Sequence, residues 1–194
     1  MHKSIPVSAA IAAAGLILAA CGSSDSAADS PTTTAAAQAA TDASFNDADV
    51  AFAQEMIPHH SQAVEMATLA LDRSENPQIL DLASRIQQGQ DPEIEQMQGW
   101  LATWDMPEMD DEMDGMAMNG MMSDDDMSAL TDASGPDFDA LFVSLMIQHH
   151  DGAITMAKSL IDEGSDPQVR ALAEGVIAAQ EAEIAEMEAL ELSN

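Results

Sequence analysis

Beyond the first few residues, every histidine of the chain belongs to one of two pairs, His59-His60 and His149-His150, set 90 positions apart. Both pairs lie inside the same phrase. One copy reads Met56-Ile57-Pro58-His59-His60-Ser61-Gln62-Ala63-Val64-Glu65-Met66-Ala67, the other Met146-Ile147-Gln148-His149-His150-Asp151-Gly152-Ala153-Ile154-Thr155-Met156-Ala157. Imidazole nitrogen and thioether sulfur together suit copper, Cu(I) foremost because it favours sulfur, and Cu(II) after it. Methionine ligates without losing a proton, so such a site keeps affinity at mildly acid pH. The pattern points to metal.

On a helix, Met56, His59, Ala63 and Met66 step by three, four and three and share a face, as do Met146, His149, Ala153 and Met156. His60 and His150 lie about 100° round from their neighbours, beside that stripe. Gln90, Glu93 and Met97 step by three and four, and so do Gln180, Glu183 and Met187. Glu93, Met97, Glu183 and Met187 are therefore accessory candidates, and either carboxylate could orient a histidine by accepting its second ring N–H. A methionine on an apolar face is ordinarily core filler, and a lone inward histidine is ordinarily a hydrogen-bonded core residue. Two duplicated pairs, with no other histidine in the domain, favour ligation instead.

A second soft cluster separates the copies: Met106, Met109, Met113, Met116, Met118, Met121, Met122 and Met127, interleaved with aspartates. Their spacing is too irregular for a core stripe, and Pro107, Gly115 and Gly120 indicate a loop. Exposed methionine is prone to oxidation, so the cluster reads as a capture strand for a soft metal. The plainer alternative is an acidic low-complexity linker. Trp100 and Trp104, just before it, read as packing residues.

These side chains need elements to hold them. Aligned without a gap, positions 52–98 match 142–188 at 17 of 47 places, an internal duplication with too few copies for a solenoid. Asn76-Pro77 and Asp166-Pro167 are helix starts, with a capping oxygen followed by proline at the first helical position. Apolar spacing of three and four predicts helices over 47 to about 72, 77 to 104, 137 to about 163 and 167 to 192. Gly164 is the expected stop of the third of these. The fold class is all-α: an antiparallel four-helix bundle built from two duplicated helical hairpins. Pro58 should cost about 3 kcal/mol inside a helix, so a kink or early turn is expected there, or else the helix begins near it.

The ends bound the rest. Residues 1–20 read as an export signal, too short for a membrane span. Leu18-Ala19-Ala20-Cys21-Gly22 resembles a bacterial lipoprotein signal, in which cleavage precedes Cys21 and its sulfur carries lipid; an ordinary secretory signal is the alternative. Residues 21–44 read as a flexible Ser/Thr/Ala-rich tether, and 45–194 as one domain carrying the Met/Asp-rich insert at 105–134. Cys21 is the only cysteine, which leaves none for disulfides or for thiolate ligation. After processing, 35 acidic residues face four basic ones, about −31. That field attracts cations and argues against nucleic acid as a partner. The expected partners are a metal ion, the membrane through the lipid, and a copper-trafficking protein.

The paired motifs resemble the domain-of-unknown-function 305 family over about 47 to 190. The resemblance implies a ferritin-like bundle and, by likeness to exported members of the CopM type, binding of copper or silver. It carries a metal-binding expectation onto Met56, His59, His60, Met66, Met146, His149, His150 and Met156. Pro58 and Gln148 break the repeat, so the half-sites are expected to differ. The leading expectation is a non-enzymatic, lipid-anchored copper binder that sequesters the ion or hands it on. A ferritin-like dimetal oxidase is the enzymatic alternative, although methionine stands three before each leading histidine where such bundles place glutamate. An envelope bundle with histidines as a pH-sensitive layer is the structural one.

Overall fold

Asn46 opens the first helix with a reciprocal cap: its side chain accepts from Ala48 and Asp49 N–H, while the Asp49 carboxylate accepts from Asn46 N–H. That helix, α1, spans Asp47–Arg73 and α2 spans Pro77–Trp104; α3 covers Asp124–Asp132, α4 Gly135–Glu163 and α5 Pro167–Ala189. The structure, a computed structural model, describes residues 44–109 and 119–190. The signal segment, Cys21, nearly all of the tether, and Met113, Met116 and Met118 lie outside them.

The expected starts hold. Asn76 and Asp166 accept from Gln78 and Gln168 N–H, with Pro77 and Pro167 at the head of α2 and α5. Two three-residue turns then make two hairpins, α1–α2 and α4–α5. These meet chiefly where α1 packs on α4. The meeting is antiparallel, since Asn46 reaches the Glu163 carbonyl at one end and Ser74 reaches Asp139 at the other. Arg85 of α2 ties to Glu186 of α5 across the outside. The result is the antiparallel bundle of two hairpins, and no described helix is long and apolar enough to cross a membrane.

Gly164 ends α4 as expected, with extended backbone, and the Arg170 guanidinium takes carbonyls there, reaching Ile161 and Gly164. Two expectations need correction. First, α1 starts at Asp47 as its spacing predicts and runs through Pro58, so neither an early turn nor a start near the proline occurs. Its inner face buries Phe52, Met56, Ile57 and Met66, each worth about 1.5–3 kcal/mol, which outweighs one lost amide bond. Second, the insert is not loop throughout: Ser123 caps α3 through a reciprocal pair with Asp126, and Leu130 is buried against the bundle.

The core falls into two apolar clusters. One holds Ala63, Met66, Phe138, Phe142, Met146 and Met187; the other holds Phe52, Met56, Met97, Ala153, Met156 and Leu160. Between them, at mid-height, every long helix contributes polar residues.

Candidate metal centre

That mid-height belt consists of His59 and His60 from α1, Gln90 and Glu93 from α2, His149 and His150 from α4, and Gln180 and Glu183 from α5. All four imidazoles are fully buried. Helical spacing explains the belt: the residues flanking it on α1, Met56 and Ala63, already belong to opposite clusters, and Met146 and Ala153 do the same on α4.

His59 and His149 meet across the bundle axis with ring centroids 3.8 Å apart at an interplanar angle of 41°. His60 and His150 each turn to their own hairpin partner. His60 Nε2 lies 2.8 Å from Glu93 Oε2, and His150 Nε2 lies 2.7 Å from Glu183 Oε2. An ionised carboxylate can only accept, so Nε2–H donates in both cases, and in the neutral ring Nδ1 carries the free lone pair. Each carboxylate thus holds the ring of the histidine that faces it in one orientation.

His59 Nε2–H donates to the Asn119 carbonyl oxygen at 3.1 Å. Burial first, and then the neighbouring His60, lower the His59 pKa from 6.5 to about 3, against the Asn119 carbonyl, which raises it. Burial likewise holds His149 well below 6.5, with His59 and His150 adding to the effect. Both rings are neutral at any ordinary pH and present bare nitrogen.

Among the described residues, no group hydrogen-bonds Nδ1 of His59, His60 or His150, or either nitrogen of His149; both amide atoms of Gln90 and the Gln180 oxygen also lack partners there. A buried polar atom without a partner costs about 1–3 kcal/mol. Five imidazole nitrogens in one apolar-walled belt are donors of the type that imidazole-binding metals use. Among the described residues, no three His, Cys, Asp or Glu side chains gather into a metal cluster by themselves. The donors flanking the histidines are thioethers.

The methionines are distributed differently from the sequence grouping. Met56, Met97 and Met156 lie in one cluster, while Met66, Met146 and Met187 lie in the other. Each set draws on both repeats, and the two methionines of one motif serve opposite sides of the belt. Met56 and Met66 are ten residues apart, about 15 Å along the helix, too far to share one ion.

Within the insert, Met106 is exposed and Met109 and Met121 are half-buried. Met122 is buried in the cluster of Met66, and Met127 packs against it. These two are core contacts rather than parts of an exposed strand. Sequence reasoning gave no role to Gln62, Asn119 and Gly152 and took Gly120 only as a loop former, yet all four lie near the histidines. Their available signal was divergence of the two copies at the equivalent positions 62 and 152.

The profile of the Domain of unknown function (DUF305) matches residues 49–191. No curated protein gives a significant match. Among solved structures, a DUF305 protein from Streptomyces coelicolor, classed by name as secreted, is 35% identical with TM-score 0.68, covering 72% of this chain and 89% of that one. A DUF305 fragment from Deinococcus radiodurans is 31% identical with TM-score 0.67, covering 74% and 94%. CopM in its Cu(I)-bound form is 33% identical with TM-score 0.62, covering 72% and 92%; CopM has also been solved with Cu(II) and with silver. The bundle, its paired histidine motifs and these matches agree: the chain belongs to the DUF305 family.

Proposed function

We propose that this protein is an exported, lipid-anchored copper binder that sequesters the ion outside the cell or hands it to a trafficking partner, without catalysing a reaction. The observation that carries the reading is the belt of four buried imidazoles, with five ring nitrogens unpartnered among the described residues, set between two clusters of buried methionines. Imidazole with thioether selects copper, Cu(I) first. The structural likeness to CopM, solved with Cu(I), Cu(II) and silver, supports the same ion. His59, His60, His149 and His150 are the primary ligands in this reading. Met56, Met97 and Met156 supply sulfur on one side, and Met66, Met146 and Met187 on the other.

The test is anaerobic competition for Cu(I) against a chromophoric chelator, with the full chain and with His59, His60, His149 and His150 all changed to Ala. Tight binding that disappears with the histidines is expected. Binding unchanged by the substitutions would move the function to the methionines of the insert. The wild-type chain should partition into the membrane fraction, and the Cys21→Ala variant should be lost from it.

A further inference from the structure

The two repeats diverge close to their histidines, and the divergent residues converge on one short segment. Residues 119–123 cross the bundle beside the belt. Asn119 offers its carbonyl oxygen to His59 Nε2. Gly120, with φ of +80°, lies against the α4 backbone at Gly152: a Cβ on Gly120 would fall 2.7 Å from Gly152 Cα, and a Cβ on Gly152 would run into the Asn119 carbonyl. Only a glycine at 152 permits this approach.

Position 62 is the equivalent of 152 in the other repeat, and it holds the same segment in another way. The Gln62 side chain grips the Met122 backbone at two points, Met122 N–H donating to Gln62 Oε1 at 2.7 Å and Gln62 Nε2 donating to the Met122 carbonyl at 3.1 Å. The Met122 side chain is buried below, and Ser123 leads directly into the capped helix α3. The segment is thus fastened to α1, to α4 and to the core.

The insert occurs once, so only one of the two facing histidines has such a partner. Among the described residues, neither ring nitrogen of His149, the equivalent of His59, makes a hydrogen bond of normal geometry, although the His59 backbone lies close enough to favour its protonated form.

We propose that residues 119–123 form a clasp that fixes His59 in the tautomer with Nδ1 as its ligating nitrogen and slows ion exchange at that ring, with Gln62 and Gly152 as the positioning residues that hold the clasp. The inference rests on the metal-binding reading for its exchange arm and on geometry alone for its tautomer arm. His149, without a clasp, can present either nitrogen and is the faster-exchanging ring.

The experiment uses the full chain, wild type, Gly152→Ala and Gln62→Ala/Gly152→Ala. Hydrogen–deuterium exchange reports whether 119–123 is released. Long-range 1H–15N spectra of the metal-free protein report the His59 tautomer, and anaerobic transfer of Cu(I) to a chelator reports exchange. Expected are loss of protection at 119–123, a mixed His59 tautomer, and transfer roughly tenfold faster, the size of losing one or two hydrogen bonds. A clasp still protected in the double variant overturns the roles of Gln62 and Gly152. A released clasp with an unchanged tautomer and an unchanged rate overturns the clasp and leaves copper binding standing. A wild type that binds no Cu(I) overturns the function reading instead, while the metal-free spectra still decide the tautomer.

Discussion

His59 and His149 stand with ring centroids 3.8 Å apart, although 90 residues separate them in the chain. Each comes from its own repeat, and they meet where α1 crosses α4. The contact makes the two motifs parts of one interior, and both rings are kept neutral by the same burial.

The methionines can be tested as ligands apart from their role as packing. Leucine has nearly the same volume, and such swaps usually cost less than about 1.5 kcal/mol. Met56→Leu, Met97→Leu and Met156→Leu together should therefore cost less than about 4.5 kcal/mol, so the metal-free protein should stay folded with a lowered urea midpoint. Cu(I) affinity should fall by at least about tenfold as sulfur is removed. Met66→Leu, Met146→Leu and Met187→Leu form the matching set for the other side. Affinity unchanged in both sets would leave all six as core filler.

Glu93 and Glu183 hold their histidines at nearly equal distances, 2.8 and 2.7 Å. Glu93→Ala and Glu183→Ala should each lower metal affinity about 10–100-fold, the usual cost of losing the group that orients a ligand. The two effects should be similar in size. Competition titration of the single variants measures both, and a loss confined to one would show that the halves do not contribute alike.

Acid should destabilise the metal-free protein through His59 and His149. The folded pKa of His59, about 3, lies below the ordinary 6.5, and that of His149 is shifted the same way. Below about 6.5 the unfolded chain binds protons that the folded chain refuses, so stability falls as pH drops from there toward 3. Each ring contributes a slope of about 1.4 kcal/mol per pH unit. Urea midpoints at pH 7 and 5 should separate more for wild type than for His59→Gln/His149→Gln, and equal separations would contradict the burial effect.

Asp49 anchors the turn between α4 and α5 to the start of α1. Its Oδ2 accepts from Asn46, Ser165 and Asp166 N–H at 2.8, 3.1 and 3.1 Å. Asp139, the equivalent residue, meets the Ser74 hydroxyl at 2.5 Å. Asp49→Ala should cost about 2–4 kcal/mol, as backbone donors lose their acceptor in a buried place. Asp139→Ala should cost less. Chemical denaturation of the metal-free variants compares them, and the Cu(I) affinity of folded Asp49→Ala should stay at the wild-type value.

The helices were legible because their signals are local. Asn76-Pro77 and Asp166-Pro167 mark starts, and apolar spacing marks faces. The duplication put the same face on α1 and α4, but nothing in either copy said whether the two histidine pairs meet; the packing of α1 on α4 decides that. Spacing reports the side of a helix and not the height, so Met56 and Met66 looked like one set while serving opposite clusters. Pro58 suggested an early turn that does not form, because a local penalty gives way to the packing of a 27-residue helix whose start at Asp47 the spacing already marked. Met122 was hidden for another reason: its anchor, Gln62, lies 60 positions away in sequence, and no local pattern encodes that meeting.

The division of the bundle's methionines between the two repeats makes neither hairpin self-sufficient. One hairpin holds Met56 and Met97, the other Met146 and Met187, and each pair is joined in its cluster by a methionine from the opposite hairpin, Met156 or Met66. Separate hairpins would bring these side chains together only by an association that depends on concentration. A single chain holds them by a covalent link at any dilution.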